Sequence, residues 1–132
     1  MPTKTKKNME KIITEPTSYL PMIEFSPEGK LKMEGRAIPE NACNLFNPLI
    51  SFIDQLNTTT VVFDIKLEYF NTASSKKILE MLKHLESNTS VKDIKVTWYY
   101  EEGDEDSVET AEIYEGCLKR IKFSYKEYAE LD

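Results

Sequence analysis

An alternating run from Val61 to Phe70 passes directly into Asn71-Thr72-Ala73-Ser74-Ser75-Lys76-Lys77, and there the side chains able to do chemistry are densest. A strand that feeds a helix needs an N-cap, and Asn71 or Thr72 can serve. The cap oxygen accepts the amide two or three residues on, a contact worth about 1 kcal/mol. That ordinary role explains one residue. It leaves unexplained four hydroxyl or amide side chains together, with Lys76 and Lys77 placed in the first turn, where basic groups oppose the helix dipole. A phosphate on one hydroxyl would bring one to two negative charges to free amides that favour an anion. A neutral patch flanked by Tyr69 and Phe70 would become anionic, which is a binary switch for a partner protein. The predicted partner surface is Tyr69, Phe70, Asn71, Thr72, Ser74, Ser75 and Lys76. Spacing alone does not choose among Thr72, Ser74 and Ser75 as acceptor.

Other chemistries find less material. The chain has one histidine, His84, at the flank of a helical stripe, so a Ser-His-Asp nucleophile is hard to assemble. Cys43, His84 and Cys117 lie on three separate elements without ligand spacing, so no metal is expected. The two cysteines read as reduced and semi-buried. Four glycines supply neither GxGxxG nor GxxxxGK[ST], so no nucleotide phosphate is cradled and no cofactor is predicted. Asp64 with Glu68, or the run Glu101 to Asp106, could be paired as acid and base, but such runs are usually solvated surface. The chain is read as a non-enzyme.

The elements that position the switch alternate between two periods. Tyr19–Phe25 and Lys30–Arg36 read as strands joined at Ser26-Pro27-Glu28-Gly29, with Pro27 and Gly29 as inner turn residues. Ala42, Leu45, Phe46, Leu49, Ile50, Ile53 and Leu56 form a helical stripe, which Pro48 kinks or restarts with Asn47 as cap. Val61, Phe63, Ile65, Leu67 and Tyr69 mark one face of a central strand. Ile78, Leu79, Leu82 and Leu85 mark the helix after it, and Ile94, Val96, Trp98 and Tyr100 the next strand, reached by a right-handed crossover. After an acidic loop, Glu101 to Asp106, come a weaker helix (Val108, Ala111, Tyr114, Leu118) and a last strand (Ile121, Phe123, Tyr125). The predicted fold is α/β, a two-layer sandwich of order ββαβαβαβ whose mixed sheet carries helices on one face. Residues 1–15 are assigned to a flexible basic tail and 16–132 to a single domain.

The balance of 40% hydrophobic and 30% charged residues in 132 belongs to a folded chain. A net charge of -6 and a pI of about 4.9 disfavour nucleic acid and anionic membranes. No apolar run approaches the roughly 20 residues of a spanning helix, and MPTKTKKNMEK leads into no apolar signal core, so the cytoplasm is the expected compartment.

Through LEYFNTASSK and the upstream GRAIPENACNLFNPLISFI, the chain from about Tyr19 to Tyr125 resembles the SiaC family of bacterial regulatory phosphoproteins. The family's motif is a tyrosine, a large apolar residue, Asn-Thr and a small-residue pair before the helix, matched here by Tyr69, Phe70, Asn71, Thr72, Ser74 and Ser75. The resemblance implies a STAS-like fold of the anti-sigma-factor-antagonist type. It implies Thr72 as the phosphoacceptor of a Ser/Thr protein kinase, restored by a PP2C-type phosphatase. It further implies that the unphosphorylated form binds and activates a diguanylate cyclase, linking the switch to cyclic di-GMP and biofilm formation. The basic N-terminus, Pro48 and the acidic loop depart from the family pattern. The alternative is a small-ligand binder using the exposed sheet face or the aromatics Trp98, Tyr99 and Tyr100.

Overall fold

Apolar residues on alternate strand positions need one covering layer, and the chain supplies it with three helices. In the computed structural model, which describes residues 9–129, one six-stranded sheet follows chain order. Its strands are β1 (Ile12–Thr14), β2 (Met22–Phe25), β3 (Lys30–Ala37), β4 (Thr60–Phe70), β5 (Asp93–Glu101) and β6 (Lys122–Tyr128). The helices α1 (Ala42–Asp54), α2 (Thr72–Ser87) and α3 (Glu105–Gly116) occupy the crossovers after β3, β4 and β5. Strands β1 to β3 pair antiparallel and β3 to β6 parallel, so the sheet is mixed.

Val61, Phe63, Ile65 and Leu67 of β4 are buried beside Leu31 and Met33 of β3 and Ile94, Val96 and Trp98 of β5. Phe46, Leu49, Phe52 and Ile53 of α1 and Ile78, Met81, Leu82 and Leu85 of α2 join them in a single core cluster. Aromatic edges interlock there: Phe25 meets Phe63 at 5.4 Å and 85°, and Phe52 at 5.6 Å. The intervening residues Lys30, Lys32, Val62, Glu68 and Lys95 remain exposed, so one sheet face is uncovered. The two-layer sandwich therefore forms as expected. Met81, which the sequence stripe omitted, is wholly buried, and Leu79 only partly.

Several boundaries differ from the sequence reading. Ile12–Thr14, assigned to a tail, pair with Ile23–Phe25 as an edge strand, and Ile12 packs on the core; residues 1–8 lie outside the described residues. One strand thus precedes the predicted ββαβαβαβ. Tyr19 and Leu20 precede β2 in a bend, because Thr17 Oγ1 accepts the amides of both (3.1 and 2.8 Å) and turns the chain before it can extend. Helix α1 runs through Pro48 and is capped by Asn41, whose Oδ1 accepts Cys43 N at 3.0 Å and Asn44 N at 3.3 Å. The acidic run is no open loop: Asp104 caps α3, and Glu105 and Asp106 occupy its first turn, where the dipole favours carboxylates. Cys43 and Cys117 are exposed and free, not semi-buried, because one lies in the first turn of α1 and the other is the C-cap of α3.

The helix ends opposite the switch region are cross-linked by side chains. Asn88 Nδ2 donates to Ile53 O (2.9 Å) and Leu56 O (3.0 Å), tying α1 to the end of α2. The Arg120 guanidinium donates to the carbonyls of Glu86, Asn88 and Val91, tying the segment before β6 to the same place.

The turn at Ser26 is closed by Gly29 N donating to Ser26 O at 2.9 Å, so Pro27 and Glu28 hold the inner positions and Gly29 follows them at φ +98°. Its carbonyl accepts Val62 N at 2.9 Å, which sets the start of the β3–β4 pairing. A Cβ on Gly29 would stand 2.3 Å from Thr60 O, a backbone atom that cannot step aside. Gly29→Ala is therefore expected to lower stability by about 2 kcal/mol or more, measured as a fall in urea midpoint. An unchanged midpoint would mean that the turn does not hold the register.

Candidate regulatory site

Parallel crossovers bring the N-termini of α1, α2 and α3 to one edge of the sheet, beyond the C-terminal ends of β3, β4 and β5. The middle junction carries the predicted switch residues. As β4 reaches it, the register moves from Gly35↔Leu67 to Arg36↔Tyr69, leaving Glu68 as an extra residue in a bulge. The bulge reverses the phase of the strand. Tyr69, placed on the core face by alternation, is instead 53% exposed, with the Arg36 guanidinium carbon 5.7 Å from its ring centroid. Phe70 takes the inward position and meets the Trp98 ring edge-on at 6.0 Å and 88°.

Asn71 is the N-cap of α2. Its extended backbone (φ −84°, ψ 174°) lets Oδ1 accept Ser74 N at 2.9 Å, while its carbonyl accepts Ser75 N at 2.9 Å. The same residue donates its amide to Ala37 O (3.1 Å) and its Nδ2 to Pro39 O (3.5 Å), which pins the helix start to the end of β3. Thr72 is then the first helical residue, and both it and Ala73 are exposed. Their amides have no acceptor among the described residues, so an anion there would meet free donors.

The remaining hydroxyls differ from Thr72. Ser74 is 0% exposed, and its Oγ has no hydrogen-bond partner among the described residues. Ser75 is half-buried: Tyr114 of α3 donates its phenol proton to Ser75 O at 2.8 Å, and Ser75 Oγ lies 2.7 Å from the same phenol oxygen. Tyr114 itself is 3% exposed, and burial pushes its phenol up to about 12, the bond to Ser75 opposing that shift. Its ring stands edge-on to Trp98 at 5.8 Å, and Trp98 Nε1 donates to Ser107 Oγ at 2.8 Å. Tyr114 was not among the sequence-predicted site residues. It is 39 residues from Ser75 and only its helical spacing was visible.

Lys76 and Lys77 are not first-turn residues, contrary to expectation. Because the helix begins at Thr72, Lys76 and Lys77 stand in its second turn, where opposition to the dipole is weaker. Lys77 Nζ reaches Asn47 Oδ1 (2.9 Å) and Glu80 Oε1 (3.2 Å), and the Glu80 contact raises its pKa. It looks away from the helix start. Lys76 is exposed.

His84 Nδ1 bonds Asp54 Oδ1 at 2.8 Å, joining α2 to α1. Asp64 and Glu68 lie on the uncovered sheet face. No group of three or more His, Cys, Asp or Glu able to hold a metal occurs among the described residues. Of the aromatics considered for a ligand pocket, Trp98 is buried in the core, and Tyr99 lies under Lys66, whose Nζ is 6.0 Å from its ring and 4.6 Å from that of Tyr128. Among the described residues no helix is long and apolar enough to cross a membrane.

A mixed sheet covered on one face by crossover helices, with an exposed hydroxyl at the N-terminus of the central one, is the frame of a STAS-like regulatory domain. The model of the SiaC family of regulatory phosphoproteins matches residues 14–128, and the chain belongs to that family. A protein of Pseudomonas aeruginosa (strain UCBPP-PA14) is 30% identical over 94 residues, 67% of this chain and 75% of the relative. Among solved structures, apo-SiaC of P. aeruginosa superposes with a TM-score of 0.75 at 26% identity, over 89% of this chain and 99% of that one. The fold also matches SiaC in the complex of the P. aeruginosa diguanylate cyclase SiaD with its activator SiaC, with a TM-score of 0.80 at 24% identity and the same coverage.

Two outcomes follow from the geometry. Asn71→Ala should cost about 1 kcal/mol in thermal or urea unfolding, while Asn71→Asp, which keeps the accepting oxygen, should cost less; equal losses would deny the cap its role. For Tyr114, the folded pKa of about 12 lies above the ordinary 10.0, so the unfolded chain loses this proton first. Stability from this group is complete below pH 10 and declines as pH rises from there towards about 12. Tyr114→Phe should flatten that alkaline decline in unfolding experiments; a decline of the same slope would assign it to other groups.

Proposed function

We propose that this chain is a non-enzymatic, cytoplasmic partner switch. Thr72 is phosphorylated by a Ser/Thr protein kinase and restored by a PP2C-type phosphatase, and the unphosphorylated form binds and activates a diguanylate cyclase. The observation that carries the reading is the inequality of the three hydroxyls: Thr72 is exposed, Ser74 is sealed and Ser75 is engaged by Tyr114. In the reaction, Thr72 Oγ1 attacks the γ-phosphorus of a nucleoside triphosphate held by the kinase. The new O–P bond forms as the bond to the β–γ bridging oxygen breaks, the nucleoside diphosphate leaves, and the threonine proton passes to a base of the kinase.

The product would place one to two negative charges beside the free amides of Thr72 and Ala73, so helix α2 tolerates it. What changes is the surface. Tyr69, exposed and backed by Arg36, offers a partner a large amphipathic contact of the kind that dominates binding energy. A phosphate three residues away adds charge that an acidic or apolar partner face must desolvate or repel. The role of cyclase activator belongs to SiaC in the SiaD complex; membership of the same family supports extending it to this chain.

The test is peptide mapping of phosphate on the protein from its host, with capture of the cyclase by Thr72→Ala and Thr72→Glu variants. Phosphate on Thr72, capture by the alanine variant and a loss of capture by at least about 100-fold with glutamate, the size of a buried charge left unpaired, are expected. Equal capture by both variants would overturn the switch.

A further inference from the structure

Resting on the reading of Thr72 as acceptor, we infer that Tyr114 is a specificity-determining residue of the switch. It holds the Ser75 hydroxyl inward and so confines modification of this turn to one position. The phenol of Tyr114 has one proton, and the Ser75 carbonyl, 2.8 Å away, can only accept. That proton is therefore committed to the carbonyl. The second contact, Ser75 Oγ to the phenol oxygen at 2.7 Å, must then be donated by the serine hydroxyl.

The Ser75 proton thus points into the protein. Phosphoryl transfer to Ser75 would require that proton to leave for a base of the kinase while Oγ bonds the γ-phosphorus of a nucleoside triphosphate and the nucleoside diphosphate departs. The bond to Tyr114 must break first, and the half-buried side chain must rotate outward. Thr72, exposed at the first helical position, meets neither obstacle, and Ser74 has no exposed surface at all.

Tyr114 is well held for this work. Its ring lies against Trp98 at 5.8 Å, Trp98 is anchored to Ser107 in the first turn of α3, and Ala111, one turn before Tyr114 on the same helix, is wholly buried. Helix α3 thereby reaches across to the first turn of α2. A second phosphate on Ser75 would give the surface more than two charge states, and a binary switch would be lost. Tyr114 touches neither Thr72 nor the transferred group; it acts through Ser75.

The experiment is phosphosite occupancy, measured by peptide mass spectrometry, on the full chain expressed in its host as wild type, Tyr114→Phe and Tyr114→Phe/Ser75→Ala. The expected result is phosphate on Thr72 alone in the wild type. In Tyr114→Phe, Ser75 occupancy should rise about tenfold, the factor matching a hydrogen bond of ordinary net strength, with Thr72 still modified. The double variant should lose the added phosphate. A general disturbance of the fold would change both sites together, so the ratio of Ser75 to Thr72 occupancy is the deciding readout. A folded Tyr114→Phe protein modified on Thr72 alone overturns the inference while leaving the switch intact. Absence of phosphate from Thr72 in the wild type removes the underlying reading as well. Should the variant fail to fold, the Ser75 hydroxyl proton in the wild type decides: slow exchange with water, seen by NMR, supports the inward bond, and fast exchange overturns it.

Discussion

Burial of one face of β4 is the constraint on which the rest of the molecule depends. Val61, Phe63, Ile65 and Leu67 lie between the equivalent residues of β3 and β5, and α1 and α2 must cover them because the opposite face, with Val62 and Glu68, remains wet. Each buried apolar side chain contributes about 1.5–3 kcal/mol relative to exposure, far more than any single cap or ion pair here. Once β3, β4 and β5 are parallel and one face is dry, three crossover helices start at one edge of the sheet, and Asn71 lies at the middle of that edge.

The two ends of the molecule then serve different purposes. At one end, Asn88 and Arg120 spend their donors on carbonyls of α1, α2 and the following loop, which closes the layers together. At the other, each helix start is capped from its own chain by Asn41, Asn71 or Asp104, and α2 leaves the amides of Thr72 and Ala73 free. The two ends are thus held independently, and an added charge at the second would leave the cross-links of the first in place. The acidic first turn of α3 and the uncharged first turn of α2 underline the difference: one dipole is already answered by carboxylates and the other is available to a phosphate.

Membership of the SiaC family places this architecture among regulatory phosphoproteins, and much of it could be read from periodicity. The strands with clean alternation, β3 to β5, and the helices with a strong stripe, α1 and α2, emerged because their apolar spacing reports one dry face directly. The weak points had weak local signals. Three residues suffice for β1 because β2 supplies its partner, and Tyr19 and Leu20 leave the strand because a threonine hydroxyl turns the backbone. Asp104, Glu105 and Asp106 read as a loop by charge but are favourable at a helix start by position.

By itself, the sequence determined the strand-to-helix junction at Asn71 and Thr72, the one-sided sheet and the absence of any motif for metal or nucleotide, since these follow from residue types within a few positions of one another. Only the tertiary structure decided which hydroxyl is open. The bulge at Glu68 turns Tyr69 outward and Phe70 inward, against the alternation, because β3 and β4 slip by one residue at Gly35. Ser74 is sealed, and Ser75 is tied to Tyr114 because the crossovers put α2 and α3 on the same face of the sheet, where the long Tyr114 side chain reaches a residue 39 positions away in the chain. Periodicity reports which face of an element is dry; it carries no information about which distant side chain will fill the remaining space.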